Sequence, residues 1–386
     1  MFFVTAYLGG EHGTAKSSRD FLRAMLACAP SVHVVAPLKE DFPDVLCGRK
    51  LSRPIWFKAY GATLPDRFWR LRPEMLRRFI LDRAVMNQIK RLEHNQTVIV
   101  NGWANYGYWR AIADCFRGHK VMVVRESPRS FTLDYRSVNV RHIVKALSEF
   151  DSLIFVSDIV RKEWLEFDEL REKATYYLPN CCEEEEVEKL SRLDRMTVRA
   201  SLGCDVDDFV VLCPGRIEYR KGQDLLVDIV AELARCTNKL RVVFVGNPLT
   251  PWGRKLVKEI KRGNAGQWCT RLRSRPDILD LLYASDVLAV PSRAEAMPRT
   301  ILEAMALGTP VVAAAVGGIP ELIEDGNTGI LFQLDEKDGL LQGLLTTIRE
   351  PENCRRMAEQ AKLRYWGRFS RKHQFDRMAG ILDHVG

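Results

Sequence analysis

The sequence lacks the long apolar runs and the leader segment that direct chains into membranes. No run approaches the ~20 apolar residues that a membrane-spanning helix needs, and residues 1–8 are too short and not basic enough for a signal peptide. Low-complexity tracts and short-period repeats are also absent. These absences exclude fibrous, disordered and transmembrane classes, and they predict a cytoplasmic protein.

The cysteines lack the spacing of a disulfide or zinc framework. Ten are present, but no two have CxxC spacing, and only Cys181 and Cys182 are adjacent. We therefore expect reduced and mostly buried thiols, and no zinc site built from cysteine and histidine.

Positive charge is concentrated in one part of the chain. The whole sequence has a net charge of +8, and residues 53–93 contain ten basic residues against four acidic ones. Within that stretch, residues 68–80 mix arginines with aromatic side chains, a composition typical of an interfacial membrane contact. A solvated helix with its apolar side packed inward fits the same residues, so both interpretations stay open.

Strand-length apolar runs alternate with amphipathic helical segments, and this alternation starts twice. A chain of 386 residues exceeds the ~250–300 at which single cores stop growing, which favours two domains. The pattern predicts an α/β fold of two doubly wound domains with parallel sheets, facing each other across a cleft with ligands at the carboxyl ends of the strands. The predicted strands are residues 2–6, 32–36, 97–101, 120–125, 152–156, 209–214, 240–245, 287–291, 310–314 and 329–332, and the predicted helices include 15–28, 77–92, 223–235 and 299–307.

A basic turn follows the predicted strand 209–214. Gly215 permits a tight exit from the strand, and Arg216 and Lys221 lie where the strand end and the next helix start converge. Two fixed cations at that place suit a diphosphate. A solvated basic turn would have the same composition, so this fragment alone does not decide between the two.

A second pattern surrounds the start of the predicted helix 299–307. Pro298, Arg299 and Thr300 open this helix and Gly308 closes it. Unpaired backbone amides near Thr300 and Ile301 would then form an anion site.

Two carboxylates flank that helix start. Glu295 precedes it, and Glu303 lies five residues beyond Pro298, about 7.5 Å along the axis at ~1.5 Å per residue. Carboxylates accept strong hydrogen bonds from vicinal hydroxyls, so the layout matches a nucleotide sugar, which has a diphosphate between two hydroxyl-rich ends. Alternatively, Glu295 is an ordinary loop carboxylate and Glu303 is a surface residue of the helix.

These segments resemble the signature of retaining GT-B glycosyltransferases of family 4. Glu295 and Glu303 keep the seven-residue separation of that family's two glutamates, and residues 308–313 and 317–321 follow in its order. Residues 215–222 resemble the family's phosphate-binding turn, and residues 179–180 resemble the motif at its domain junction. The strong resemblance covers residues 205–332.

The resemblance implies a role for each matching position. Glu295 would face the donor sugar, Glu303 the ribose, and Arg216 with Lys221 the diphosphate. Catalysis would be electrostatic: Glu295, Arg216 and Lys221 stabilise the transition state, with no enzyme nucleophile and no metal or other cofactor.

Other positions match the family less closely. Gly9 and Gly10 look like its glycine loop near the donor phosphate. Arg125 and Glu126 stand where many members have a histidine, so they are candidates for sugar or acceptor positioning without that histidine's role. The loop over 270–274 lacks the family's glycine, which leaves UDP and GDP donors both open.

The implied fold is GT-B, two Rossmann-like domains. Residues 1–178 would form the acceptor-side domain and 179–367 the nucleotide-sugar domain, with a last helix at about 368–386 packing back on the first. The implied activity is retaining transfer from a nucleotide sugar to a saccharide or lipid-linked hydroxyl in bacterial surface polysaccharide biosynthesis. Attachment to the inner face of the plasma membrane would fit such acceptors.

Three competing interpretations are weaker. A nucleic-acid-binding protein would use the charge of residues 53–93, but no known binding motif accompanies it. A dinucleotide-dependent oxidoreductase would use residues 9–13, but the strand 32–36 ends in Pro37 instead of a ribose-binding acid. Asp205 and Asp207 form a DxD pattern typical of metal-dependent glycosyltransferases, but they precede a strand, at the end away from the expected cleft.

Overall fold

The computed structural model describes most of the second half of the chain and parts of the first. The described residues are 2–4, 13–29, 33–36, 45–46, 49–50, 55–56, 96–102, 116–134, 139–237, 239–336 and 338–385. Within them no helix is long and apolar enough to cross a membrane.

The chain divides into two compact units. Unit 1 comprises Met1–Glu126, Val138–Pro179 and Lys372–Gly386, and unit 2 comprises Ser127–Ser137 and Asn180–Arg371. The bounds differ from the expected 1–178 and 179–367 mainly at Ser127–Ser137. That segment groups with unit 2 because its helix lies against the turn Tyr219–Lys221.

Unit 1 contains a seven-stranded parallel sheet. Its strand order is β5-β2-β1-β6-β7-β8-β9. The strands are β1 Phe2–Val4, β2 His33–Ala36, β5 Ile55–Trp56, β6 Thr97–Asn101, β7 His119–Val124, β8 Ser152–Phe155 and β9 Ala174–Tyr177, with an antiparallel pair β3 Val45–Leu46 and β4 Arg49–Lys50. The helices in chain order are α1 Gly13–Cys28, α2 Pro128–Asp134 (assigned to unit 2), α3 Val140–Ser148, α4 Asp158–Leu165 and α5 Asp168–Arg171.

Unit 2 contains a six-stranded parallel sheet of order β12-β11-β10-β13-β14-β15. Its strands are β10 Phe209–Pro214, β11 Leu240–Val245, β12 Cys269–Leu272, β13 Val287–Val290, β14 Val311–Ala314 and β15 Ile330–Phe332. Its other helices are α6 Glu184–Ser191, α7 Arg195–Ser201, α8 Gln223–Leu233, α9 Pro251–Arg262, α10 Ile278–Ala284, α11 Arg299–Leu307, α12 Ile319–Leu322, α13 Gly339–Arg349 and α14 Pro351–Arg364. The prediction of two α/β domains with parallel sheets is confirmed.

The central strands are buried on both faces. β6, β8, β13 and β14 have no exposed residue, as expected for parallel strands covered by helices on both sides. This is why their central positions appear in the sequence as apolar runs. β10 and β11 also match their predicted bounds to the residue.

The last helix, α15 (Arg371–Val385), packs in the core of unit 1. Met378, Ile381 and Leu382 are buried beside Leu22 and Met25 of α1. Buried Gln374 donates a hydrogen bond of 2.9 Å to the carbonyl of Pro179, the last residue of unit 1 before the chain enters unit 2. The chain therefore leaves and re-enters unit 1 at neighbouring points.

Candidate functional site

The candidate site of unit 2 lies at the carboxyl ends of β10 and β13. These strands are neighbours, and the strand order continues from β10 to β11 on one side and from β13 to β14 on the other. The gap between them is thus a topological switch point, where ligands bind in open α/β sheets. The loop over 215–222 follows β10, and the loop over 291–298 follows β13.

Glycines let the loops around this point approach each other closely. Gly222 has φ +66°, and a Cβ built on it would lie 1.8 Å from the carbonyl oxygen of Pro291. Gly317 has φ +51°, and its Cβ would lie 1.8 Å from the carbonyl oxygen of Glu295. Any side chain at either position would force the backbones apart. The loop over 215–222, which carries the predicted cations, is therefore in backbone contact with the loop over 291–298, which carries the predicted carboxylate.

Glu295 is the centre of this arrangement. Its side chain is buried, and Oε1 lies 2.5 Å from Lys221 Nζ and accepts a 2.9 Å hydrogen bond from Ser292 Oγ. Its other oxygen, Oε2, lies 3.5 Å from Arg220 Nη1. The structure thus brings together Glu295 and Lys221, two of the three side chains predicted to be catalytic.

The charges around Glu295 determine its protonation. Burial on its own raises the pKa of the carboxyl, but the charges of Lys221 and Arg220 lower it, as do the hydrogen bonds from Lys221 and Ser292. The net result is a pKa below the usual value of 4.5. Glu295 is therefore a carboxylate at neutral pH, able to accept hydrogen bonds but not to donate a proton.

Arg216, the third predicted catalytic residue, is positioned differently. Its side chain is 52% exposed and lies 3.4 Å from Glu218 Oε1. Its carbonyl accepts a 2.9 Å hydrogen bond from the buried side chain of Gln223, which fixes the backbone of the turn. The guanidinium is thus open to solvent at the rim of the loop, whereas the Lys221 ammonium forms an ion pair with Glu295.

Arg220 also belongs to the site, although it was not among the predicted site residues. This side chain is buried, its Nη2 lies 2.9 Å from Glu218 Oε1, and its Nη1 donates to the carbonyl of Ala294 at 3.0 Å as well as facing Glu295. It therefore ties the β10 loop to the β13 loop. Its place in an Arg-Lys-Gly run was visible, but the inward direction of its side chain depends on the 3₁₀ turn Tyr219–Lys221.

Helix α11 begins as predicted at Arg299, with two differences at its start. Pro298 has extended backbone angles and is the residue before the helix, not its first residue. The Ile301 amide donates to the Pro298 carbonyl at 3.2 Å, so it does not offer the open donor that was predicted there. The Thr300 amide makes no hydrogen bond to any described residue. Gly308, with φ +78°, ends the helix as predicted.

Glu303 is a buried residue, not a surface helix residue. It is 3% exposed, and Oε1 lies 3.7 Å from Nε of the equally buried Arg299, one helical turn before it. Burial raises the pKa of the nearby Cys182 thiol well above its usual value, and the Glu303 charge adds to this while Arg299 opposes it. Asn180 of the predicted junction motif contacts the loop before α11, because its Nδ2 donates a hydrogen bond of 3.1 Å to the Met297 carbonyl.

Arg125 and Glu126 lie at the carboxyl edge of the sheet of unit 1. Arg125 follows β7, and its Nε donates to Asn101 Oδ1 at 2.7 Å while its guanidinium stacks over Phe21 of α1 at 5.6 Å. The Glu126 carbonyl accepts a 2.9 Å hydrogen bond from the indole of Trp164. Both candidates are thus held by their own unit, and Arg125 joins strand ends to a helix.

Several predicted features lie outside the described residues. Gly9, Gly10, the helix at 77–92 and the basic aromatic stretch 68–80 are all among them. The loop predicted at 270–274 is partly wrong, because β12 includes its first three residues and forms the edge of the sheet. The turn itself begins at Arg273, and the Ser274 amide donates to Asn247 Oδ1 at 3.4 Å.

The DxD carboxylates lie far from the candidate site. They precede β10, whereas the cationic loop follows it, and a six-residue strand spans about 20 Å. Asp205 and Asp207 each lie 3.7 Å from Lys239 Nζ, and Asp208 pairs with Arg241 at 2.8 Å. Within the described ranges, no cluster of histidine, cysteine, aspartate or glutamate has the arrangement of a metal site.

Most of unit 2 is similar to known proteins. Residues 194–364 match the family Glycosyl transferases group 1. The D-inositol 3-phosphate glycosyltransferase of Mycobacterium avium (strain 104) is 33% identical over 188 residues, which cover 47% of this chain and 43% of that protein. The enzyme of the same name from Rhodococcus erythropolis is 36% identical over 197 residues, covering 49% and 44%. The chain thus spans less than half the length of these curated relatives.

Solved structures similar to this chain extend over both units. Sucrose-phosphate synthase from Thermosynechococcus elongatus has a TM-score of 0.81 at 18% identity, covering 100% of this chain and 98% of that chain. Anabaena HepE in complex with UDP-glucose has a TM-score of 0.77 at 21% identity, covering 100% and 99%. At these identities the similarity shows the fold alone. Residues 194–364 are therefore similar to the Glycosyl transferases group 1 domain, and the chain has the fold of two parallel-sheet α/β units seen in the GT-B glycosyltransferases that it resembles.

Proposed function

We propose that this protein is a retaining glycosyltransferase of family 4 that moves a sugar from a nucleotide sugar to a hydroxyl group of a saccharide or lipid-linked acceptor. One observation carries the proposal: an ionised, buried Glu295 is held against Lys221 at the switch point of the sheet in the group 1 domain. A carboxylate and a cation fixed together suit a ligand that has hydroxyl groups beside a diphosphate.

The proposed chemistry is electrostatic. Cleavage of the bond between the anomeric carbon and the diphosphate develops negative charge on the leaving oxygens. Lys221, the exposed guanidinium of Arg216 and the Thr300 amide would receive that charge, and such preorganised donors stabilise a transition state by several kcal/mol. Glu295 would bind the sugar hydroxyls and stabilise positive charge at the anomeric carbon. The acceptor hydroxyl then attacks on the same face, without an enzyme nucleophile, and its proton passes to the departing diphosphate.

The remaining candidates belong to the same proposal. Glu303 would bind the ribose, with Arg299 beside it at 3.7 Å fixing its carboxylate. Gly9 and Gly10 would approach the donor phosphate, and Arg125 with Glu126 would position the sugar or the acceptor. The backbone of Pro298 and Ile301 shapes the turn that holds the Thr300 amide.

The donor is proposed from a structural neighbour, and the pathway from the resemblance of the sequence to family 4. Anabaena HepE was solved with UDP-glucose, and the curated relatives are named glycosyltransferases of D-inositol 3-phosphate. The HepE complex supports a UDP sugar as the donor, with GDP sugars as the alternative. A role in bacterial surface polysaccharide biosynthesis, at the cytoplasmic face of the membrane through residues 68–80, completes the proposal.

A panel of nucleotide sugars tests the proposed function directly. We expect one UDP sugar, at 100 times its dissociation constant, to raise the free energy of unfolding by about 2.7 kcal/mol. The measurement is thermal unfolding with UDP, GDP and NAD series side by side. The Lys239→Ala variant should be stabilised by the same ligand to the same extent, because the cation that it loses lies at the opposite end of β10 from the candidate site. Stabilisation by NAD but by no nucleotide sugar would contradict the proposal.

Removal of divalent metal should leave transfer nearly unchanged. The proposed site neutralises the diphosphate with Lys221 and Arg216, and the DxD carboxylates pair with Lys239 far from it. We expect the initial rate of sugar transfer in excess EDTA to stay within about twofold of the untreated rate. Complete loss of activity that Mn²⁺ restores would instead support a metal site at Asp205 and Asp207.

A further inference from the structure

The outer face of helix α9 carries a row of cations. Its inner face buries Gly253, Leu256 and Ile260. At ~100° per residue, all the basic side chains of the helix lie within roughly a third of its circumference, opposite that inner face. These exposed residues are Arg254, Lys255, Lys258, Lys261 and Arg262. From first to last they extend over about 12 Å at ~1.5 Å per residue.

Acidic groups neutralise little of this charge. Glu259 is the only acidic residue of α9, and it lies 3.5 Å from Lys255. The other four basic residues form no ion pair with any residue in the ranges that the structure describes. On α14, by contrast, Arg355 pairs with Glu352. The row on α9 is therefore a net positive surface.

An exposed apolar side chain adjoins this row. Leu249 is 64% exposed and lies just before α9. Its carbonyl accepts a 2.9 Å hydrogen bond from Arg254 Nη1, which places the leucine next to the first cation. Exposed leucine contributes little to binding a nucleic acid, whose backbone offers only charge. A bilayer surface offers both anionic headgroups for the cations and an acyl boundary for the leucine.

We propose that this α9 basic face, defined as Leu249 with the five basic residues of α9, binds the surface of an anionic lipid bilayer. Headgroup phosphates would contact the cations while Leu249 enters the boundary of the acyl layer. The surface belongs to unit 2 and is separate from residues 68–80. The proposal goes beyond the proposed function, because it requires no particular donor, acceptor or reaction.

Vesicle sedimentation of the full chain tests the proposal. The variant Lys258→Glu with Lys261→Glu reverses two charges of the face, and Arg355→Glu with Arg356→Glu makes the same change on α14 as a matched control. We expect wild type and control to bind phosphatidylcholine vesicles containing a third phosphatidylglycerol, and the α9 variant to bind at least tenfold more weakly. High salt should release the wild type, and pure phosphatidylcholine should not bind it. Leu249→Ser should weaken binding severalfold without changing its salt dependence.

Three results would overturn the proposal. They are wild-type protein that stays in solution with anionic vesicles, an α9 variant that binds as tightly as the control, and stronger binding to duplex DNA that the α9 variant loses. Because the changed side chains are exposed, thermal unfolding of both double variants should match the wild type. Sugar transfer to a soluble acceptor should also be unchanged in the α9 variant, so a failure here is distinct from a failure of the proposed function.

Discussion

Glu295→Gln is expected to lower the rate of sugar transfer by about 10²- to 10³-fold while the protein still binds UDP. The amide keeps the size of the side chain and one oxygen for Ser292, but it loses the negative charge that faces Lys221 and Arg220. Initial rates with saturating donor, compared with UDP affinity from thermal shifts, separate the two effects. Glutamine is preferred to alanine because alanine would leave two cations around an empty space.

Asp224→Asn is the matched control for this substitution. Asp224 pairs with Arg293 at 2.7 Å on the outer side of the same loop, so the change also removes one carboxylate charge from an arginine partner. We expect the control to transfer sugar within about threefold of wild type. If Glu295→Gln behaved like the control, the assignment of the sugar-binding carboxylate would be wrong.

The stability of the Glu295→Gln variant, relative to wild type, should depend on pH in a defined direction. Glu295 has a native pKa below 4.5, so its ionised form stabilises the fold above the unfolded-state pKa, and this contribution is lost as the pH falls through the native pKa. Breaking a buried ion pair costs about 3 kcal/mol at neutral pH. The difference in unfolding free energy between wild type and variant should therefore shrink below about pH 4.5, as urea titrations at several pH values would show.

The sequence predicted the buried strands best, and the reason is their environment. β10 and β13 lie between neighbours and under helices, so every position favours apolar residues. The edge strands β9 and β12 were missed, because their half-exposed positions include Thr175 and Arg271 and leave no apolar run. Edge strands need only one paired side and tolerate polar residues.

In the candidate site, too, the sequence indicated residues that stand in local motifs and missed those that depend on tertiary contacts. Glu295 and Lys221 stand in motifs whose order along the chain is informative, so the sequence indicated them. Arg220 takes part because Gly222 lets the turn touch Pro291, an approach between residues about 70 positions apart that no local pattern encodes. Arg299 and Glu303 form a pair with i, i+4 spacing on one helix face. Its burial depends on the packing of α11 and was not predictable.

Lys221→Ala is expected to reduce transfer by about 10²- to 10³-fold and to change its pH dependence, through two physical effects. The variant loses the cation proposed to hold the leaving diphosphate, a change worth about 3–4 kcal/mol in the transition state. It also removes the largest charge that offsets the burial of Glu295, so the pKa of that carboxyl should rise. Single-turnover rates across pH should therefore show both a lower plateau and an acid limb moved to higher pH.

The pH profile distinguishes this role from a merely structural one. Lys239→Ala, the matched control at the other end of β10, should keep the wild-type plateau and the wild-type acid limb, because its partners Asp205 and Asp207 are exposed. In Lys221→Ala, Arg220 still faces Glu295 Oε2 and limits the rise of its pKa. A double variant with Arg220→Gln should move the acid limb further than either change alone. Equal acid limbs in the wild type, both single variants and the double variant would show that Lys221 and Arg220 do not control the charge of Glu295.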